Sequence, residues 1–346
     1  MNLLILTQAV DQDDPVLGFF HRWIEKLAPH MEHVEVICLR EGKHALPSNV
    51  RVHTLGKPRG ETRSLGFLAR MRYTWRFYRL AFALRARYQT VFVHMNAEYV
   101  ALAGLFWRLA GKYVALWYNH PDHPLALRVA ARFANRLFYT SPYAASAGYA
   151  HAHRMPAGID TDIFSARPVP RDRTALYMQG RITPGKRVDV ALDALTIVRQ
   201  EVPATLTIVG PEDPGYGDIL RAQFADLVAA DAARFIGTRR NDDTPPLMSG
   251  AGVAINLAAA GHFDKTALEP MACETPVVVG SPAFAGLVPA EWVVPERDPA
   301  ALAQAILRII RLPEAEYAAL GKSLRAAVVR EQSLDILIER LVVELE

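Results

Sequence analysis

The sequence is short of cysteine, of net charge and of long apolar runs, and each shortage removes a class of protein. Two cysteines in 346 residues, Cys38 in "VEVICL" and Cys273 in "MACETP", lie far apart in apolar settings. They suggest neither a disulfide framework nor a thiolate metal site, and a reducing cytosol suits them. A net charge of +3 is too small to imply wholesale nucleic-acid binding. No apolar stretch approaches the ~20 residues that cross a bilayer, so any membrane contact is expected to be peripheral. The opening "MNLLILTQAVDQDD" lacks a basic leader and a small-residue cleavage site, and is expected to be a first strand rather than a signal peptide. Internal repeats and low-complexity tracts are absent. So is a G-x-G-x-x-G after the first strand, which weakens any dinucleotide reading.

What is present is a globular composition, 51% hydrophobic and 22% charged, on a chain longer than one core usually supports. Short apolar runs alternate with helical patterns. "NLLILT", "VEVICL", "VRVHTL", "TVFVHM", "YVALWY" and "RLFYTS" read as strands, with "FFHRWIEKLAPH" and "YVALAGLFWRLAG" as helices between some of them. The pattern then restarts with "TALYMQ", "ATLTIVG", "ARFIG", "GVAINLA" and "TPVVVG". Such alternation predicts two α/β domains, each a parallel sheet covered by helices. A proline-rich, charged stretch at 164–174, "FSARPVPRDRT", marks the expected join. Residues 1–165 and 166–330 are the two domains, and 331–346 a terminal helix whose apolar face has the first domain as one candidate surface. In open α/β sheets ligands sit at the carboxyl ends of strands, so the loops there are where chemistry is sought.

Two such loops stand out. "GRITPGKR" (180–187) follows "TALYMQ" and delivers Gly180, Arg181 and Lys186; a planar guanidinium fork and an ammonium suit a diphosphate. The plain alternative is a solvated loop. "GHFDKTALEPMACETPVVVG" (261–280) passes from a loop into a helix near Lys265 to Thr266, and a helix amino terminus is a ready anion site. Glu269 lies one turn inside it, placed to accept from hydroxyls of a bound group, or else to pair with Lys265 on the surface.

These stretches, with "PAGIDTDIF" upstream, resemble the retaining glycosyltransferases of GT-B architecture (glycosyl transferases group 1, family 4), which have two facing Rossmann-like domains. The resemblance is strong over the second domain and rests on element order in the first. It implies a nucleotide-diphosphate sugar as co-substrate, bound in the second domain with no further cofactor. Arg181 and Lys186 would hold the diphosphate and Glu269 the ribose hydroxyls. His262, Phe263, Asp264, Lys265 and Thr266 would lie against sugar and phosphates through backbone N–H groups. Gly237, Thr238 and Arg239 would border the base, and Gly210 would leave room for close approach. Transfer to an acceptor hydroxyl with retention follows by a metal-independent front-face route, with Arg181, Lys186 and the amino terminus at 264–266 stabilising the departing diphosphate.

The sequence departs from that pattern in places. Relatives usually carry two glutamates separated by seven residues, and Gly261 stands in the first position; Asp264 is the candidate replacement. Glu274 stands where glycine is common. In the first domain, Asp13, Asp14 and Gly18 are expected to border the acceptor, with helix capping as the alternative for the aspartates. His120, in "WYNHPDHP", occupies the place of a histidine that assists at the reaction centre. A metal on His120, Asp122 and His123 is the weaker reading there, and no metal is expected. "HAHRMP" (151–156) is expected to be an interdomain loop.

From Lys57 to Arg87 there are nine Lys or Arg and one acid, Glu61, interleaved with Trp75, Phe77 and Tyr78. A basic helix of this kind suits an anionic membrane surface or an anionic acceptor; a core-packed helix with solvated arginines explains it equally. The location expected is cytoplasmic, with a peripheral place on the inner face of the membrane left open. The rivals to a transferase are an epimerase or phosphorylase on the same scaffold, a non-catalytic sugar-nucleotide-binding protein, and a dehydrogenase.

Overall fold

The computed structural model describes residues 1–14, 16–58 and 66–346. Residues 59–65 of the basic stretch, with Glu61, lie outside them. The chain forms two compact units, Met1–Gly158 with Asp335–Glu346, and Ile159–Leu334.

The first unit is built on seven parallel strands, β1 (Asn2–Val10), β2 (His33–Glu41), β3 (Val50–Thr54), β4 (Thr90–His94), β5 (Tyr113–Trp117), β6 (Arg136–Tyr139) and β7 (Ala152–Arg154), in the order β3-β2-β1-β4-β5-β6-β7. Its helices are α1 (Gly18–Leu27), α2 (Phe67–Ala83), α3 (Ala97–Leu109) and α4 (Leu125–Phe133). Successive side chains on a strand point to opposite faces. Leu4, Leu6, Val91 and Val93 accordingly share one face and pack with Phe77 of α2 and Val100 and Trp107 of α3. Thr90, Phe92 and His94 take the other face, where the His94 ring stacks on Phe20 of α1, centroids 4.0 Å apart.

The segment 151–156 differs from its expectation as a loop. Residues 152–154 pair with β6 as an edge strand, and His153 Nδ1 lies 2.6 Å from Glu344 Oε1. Three residues with a single small apolar side chain carry no alternation, so nothing in the sequence marks them as a strand.

The second unit has five parallel strands, β8 (Asp172–Gln179), β9 (Thr205–Val209), β10 (Ala233–Phe235), β11 (Ala251–Asn256) and β12 (Val277–Val279), in the order β10-β9-β8-β11-β12. Between and after them run α5 (Val188–Val198), α6 (Tyr216–Gln223), α7 (Ala225–Ala229), α8 (Pro245–Gly250), α9 (Lys265–Ala272), α10 (Pro299–Arg311) and α11 (Glu314–Gln332). β11 and β12 are buried along their whole length, which is why they read as continuous apolar runs. α10 starts on an N-cap followed by proline: Pro299 occupies the first turn and Asp298 Oδ1 accepts from Ala301 N at 2.9 Å.

A last helix, α12 (Leu334–Leu345), carries the chain back to the first unit. Leu337, Leu341 and Leu345 are fully buried, and Thr90 Oγ1 donates to Leu345 O at 3.2 Å. The apolar face of the terminal helix thus lies on the Thr90–Phe92 side of the first sheet.

Strand order places the ligand side. In the second sheet the chain proceeds outward from β8 through β9 to β10, then returns to the other side of β8 as β11. Loops leaving β8 and β11 diverge at this switch point and open a crevice at the strand carboxyl ends. "GRITPGKR" and the 257–264 loop are those two loops.

Candidate functional site

The basic loop begins at Gly180, whose φ of +146° is a backbone conformation open to glycine but strained for other residues. Lys186 runs back over this glycine, its Cε 3.6 Å from where a β-carbon would stand. Gly210, at the end of β9, also has φ +146°, and a β-carbon there would collide with the Gly180 carbonyl oxygen. The absence of a side chain at Gly210 thus lets the loops after β8 and β9 approach closely.

The three cations of the loop have separate fates. Arg181 is exposed and, among the described residues, has no ion-pair or hydrogen-bond partner. Lys186 Nζ forms an ion pair with Asp264 Oδ2, joining the loop after β8 to the start of α9. Arg187, left-handed at φ +55°, pairs with Glu296 at 3.1 Å.

Asp264 occupies the N-cap of α9 yet makes no side-chain cap, because its carboxylate is turned to Lys186. The opening turn of α9, an end with partial positive charge, thus lies next to a lysine ammonium. Asn256, the last residue of β11, donates from Nδ2 to Thr266 Oγ1 at 3.0 Å and lies 3.5 Å from Asp264 Oδ2. This asparagine was not singled out from the sequence; a lone polar residue at the end of "GVAIN" was its signal. The preceding loop is pinned by Ala260 N donating to Glu296 Oε2 at 2.8 Å and Gly261 N donating to Ser281 Oγ at 3.2 Å. Gly261 itself is buried with φ +94°, so a side chain at this position would be strained. His262 folds onto the same loop, Nδ1 3.2 Å from Ala259 O. Phe263 turns inward and stacks on Phe284, centroids 4.6 Å apart, leaving its backbone as the part that faces outward chemistry.

Glu269 is buried, 5% exposed, so its interaction with Lys265 is not one between two surface side chains. Its Oε2 has no hydrogen-bond partner among the described residues. Burial pushes its carboxyl up to about 7, against the pull of Lys265. Burial in turn lowers the Lys265 ammonium to about 7, with Glu269 opposing. A buried carboxylate oxygen lacking a donor is costly unless a ligand supplies one. At the edge of the sheet, Gly237 (φ +68°) and exposed Thr238 and Arg239 follow β10, and Arg239 Nη1 donates to Thr238 O at 3.2 Å.

The structure also accounts for Glu274. With φ +60° it occupies the left-handed position that ends α9, where glycine carries no steric penalty. Arg171 donates to the carbonyls of Cys273 and Glu274 at 3.2 and 2.7 Å, and Arg325 donates to Ala272 O. Two guanidiniums therefore hold the carboxyl end of the helix whose amino end meets Lys186.

The remaining site residues of the sequence reading lie in the first unit. Asp14 Oδ1 accepts from Val16 and Leu17 N at 2.9 and 2.8 Å and its other oxygen pairs with Arg40, so this carboxylate is engaged in entering α1. Asp13 is half-exposed with Lys43 Nζ 3.9 Å away. A β-carbon on Gly18 would stand 3.1 Å from Gln12 O. His120 Nδ1 lies 3.2 Å from Asp122 N and 3.3 Å from Asp122 Oδ2. Among the described residues no group of three or more His, Cys, Asp or Glu is arranged to hold a metal ion.

Residues 173–311 match the profile of the family described as glycosyl transferases group 1. A D-inositol 3-phosphate glycosyltransferase of Salinispora arenicola is 34% identical over 145 residues, 38% of this chain and 32% of that protein. Its counterpart in Salinispora tropica is 33% identical over 150 residues, 39% of this chain and 30% of that protein. The match thus spans about a third of the length of these relatives. Among solved structures, Anabaena Alr3699/HepE in complex with UDP has TM-score 0.77 at 19% identity, covering 100% of this chain and 99% of that one. Sucrose-phosphate synthase from Thermosynechococcus elongatus has TM-score 0.73 at 19% identity, covering 99% and 97%. The fold is that of the GT-B glycosyltransferases.

Proposed function

We propose that the chain, whose residues 173–311 match the profile of the group 1 glycosyltransferases, transfers a sugar from a nucleotide-diphosphate sugar to an acceptor hydroxyl with retention of configuration. The observation that carries this reading is the Lys186–Asp264 pair, which brings a basic loop and a helix amino terminus together at the switch point of the second sheet.

The donor diphosphate lies between Arg181, Lys186 and the first turn of α9, where guanidinium, ammonium and helix dipole all stabilise negative charge. Lys186 exchanges its Asp264 partner for phosphate oxygens, and Asp264 turns to a sugar hydroxyl, the role vacated at Gly261. The Oε2 of Glu269 takes the ribose hydroxyls as its donors. Base contacts fall to Gly237, Thr238 and Arg239. That the Anabaena relative was crystallised with UDP and with UDP-glucose favours a uridine donor here.

The acceptor belongs to the first unit, near Asp13, Asp14, Gly18 and His120. Its hydroxyl attacks the anomeric carbon on the face that the diphosphate leaves, and a diphosphate oxygen takes the hydroxyl proton. The protein's part is positioning and stabilisation of the charge that develops on the leaving group. No resident cofactor or metal is needed for this route. The acceptor is a glycan, a lipid-linked or a small molecule, and the basic stretch 57–87 gives the protein a peripheral place on an anionic membrane surface.

The test is a product analysis with UDP-glucose and a panel of acceptors, read by NMR for anomeric configuration. The reading expects an α-linked product formed only when an acceptor is present. An inverted product overturns retention, product without acceptor indicates an epimerase, and binding with neither transfer nor hydrolysis indicates a non-catalytic protein.

A further inference from the structure

The helices α2 and α3 of the first unit expose an apolar surface that no part of the sugar chemistry uses. On α2, Leu68, Trp75 and Phe82 are 80%, 61% and 57% exposed; on α3, Leu105 and Leu109 are 56% and 81% exposed. The inner sides of the same helices are core, with Phe77 and Trp107 fully buried. This face is therefore a rigid, folded surface.

The two helices are fastened side by side. Tyr78 OH donates to Leu102 O at 2.9 Å, and Phe82 and Phe106 lie 6.5 Å apart. Between them runs an apolar groove of about 400 Å³ lined by Trp75, Tyr78, Phe82, Ala103 and Phe106, with Arg79 on its rim. Contiguous exposed apolar area of this kind marks an interaction site.

Charge identifies the partner. Residues 66–121 contain eight Lys or Arg and one acid, Glu98. Two of the arginines are committed inward, Arg76 to Leu55 O at 2.6 Å and Arg87 to Glu35. Two others stand on the aromatic rings of the exposed face: the Arg79 guanidinium is 5.1 Å from the Trp75 ring centroid and that of Arg85 is 3.9 Å from Phe82. Cations and apolar side chains thus share one surface. A second copy of the chain on this face would set Arg79 and Arg85 against their own kind, whereas anionic headgroups over an acyl boundary complement both features at once.

We propose that the α2–α3 face is a membrane-docking surface for an anionic phospholipid bilayer, with Trp75, Leu105 and Leu109 at the acyl boundary and Arg79 and Arg85 on lipid phosphates. This rests on the peripheral attachment given to residues 57–87 and extends it, because α3 lies outside that stretch and supplies Leu105 and Leu109. It is independent of the donor site.

The experiment is cosedimentation of the full chain with vesicles of phosphatidylcholine alone and of an equal mixture of phosphatidylcholine and phosphatidylglycerol. Binding to the mixed vesicles only, weakening as salt rises, is expected. The double variant L105E/L109E, altered at exposed positions, should lose about tenfold or more of that partitioning. Its thermal stabilisation by a nucleoside diphosphate should be unchanged, which separates loss of docking from failure of the donor reading. Absence of binding to mixed vesicles, or equal binding by the double variant, overturns the proposal. So does a concentration-dependent dimer, seen by light scattering, that the double variant abolishes, since the face would then serve a second copy.

Discussion

Lys186 and Asp264, seventy-eight residues apart in the chain, form an ion pair across the crevice between the loops that leave β8 and β11. The pair stores a cation beside the amino terminus of α9, where the proposed reaction would have a leaving diphosphate gather charge. Lys186→Ala is expected to lower turnover by about 10²–10³-fold, the usual loss for a preorganised charge-stabilising group. Both side chains are partly exposed, so the stability change should stay near 1 kcal/mol. Steady-state kinetics at saturating donor, with a parallel melting curve, checks this; unaltered turnover removes Lys186 from the chemistry.

Gly210→Ala probes the contact that shapes the same crevice. The new β-carbon collides with the Gly180 carbonyl, which is backbone and cannot swing aside, and φ +146° strains any side chain. A loss of about 2 kcal/mol or more is expected. Gly215→Ala is the control: it has positive φ but nothing nearby, and should cost only about 1 kcal/mol. Equal urea midpoints for the two variants would contradict the account.

Glu274→Gly is expected to stabilise the second unit. Removing a side chain from the left-handed end of α9 relieves about 0.5–1 kcal/mol of backbone strain after allowing for the extra freedom of glycine in the unfolded chain. The Tm should rise by about 1–4 °C. The capping guanidiniums bind carbonyls, not the Glu274 side chain, so they remain in place.

Acid sensitivity should be concentrated at Glu35 in the first unit. Burial pushes its carboxyl up, but hydrogen bonds from His53 at 2.5 Å, Arg87 at 3.2 Å and His33 at 3.1 Å together outweigh burial and hold it below its ordinary value. A carboxyl lowered in the folded state contributes stability that is complete above its unfolded pKa, near 4.3, and is lost as pH falls through the folded value. Glu35→Gln should therefore lower stability at neutral pH and flatten its decline between about pH 5 and pH 3. Urea midpoints measured across that range decide it, and parallel curves for the two proteins would exclude Glu35 as the source.

Much of this architecture is legible in the sequence because its strands are apolar and its helices periodic. "TVFVH" and "GVAIN" are buried strands at both ends and in the middle. Less legible are features set by partners distant in the chain. Glu296 holds Ala260 N and Arg187 together, yet no spacing connects residues so far apart. β7 is three residues whose strand character comes from β6 alone. The arginines and lysine of "GRITPGKR" look alike as letters; tertiary neighbours divide them into an exposed Arg181, a Lys186 paired with Asp264, and an Arg187 paired with Glu296. Glu274 puzzles as a glycine replacement until its φ is known.

The central claim is that the crevice between the loops after β8 and β11 binds the diphosphate of a nucleotide donor. The most direct measurement is the thermal shift of the purified protein with UDP, GDP, ADP, CMP, dTDP and NAD, repeated with Arg181→Ala. The account predicts stabilisation by one nucleoside diphosphate, with UDP favoured, that largely disappears in the variant. Stabilisation by none of them, or an equal response from Arg181→Ala, would contradict it.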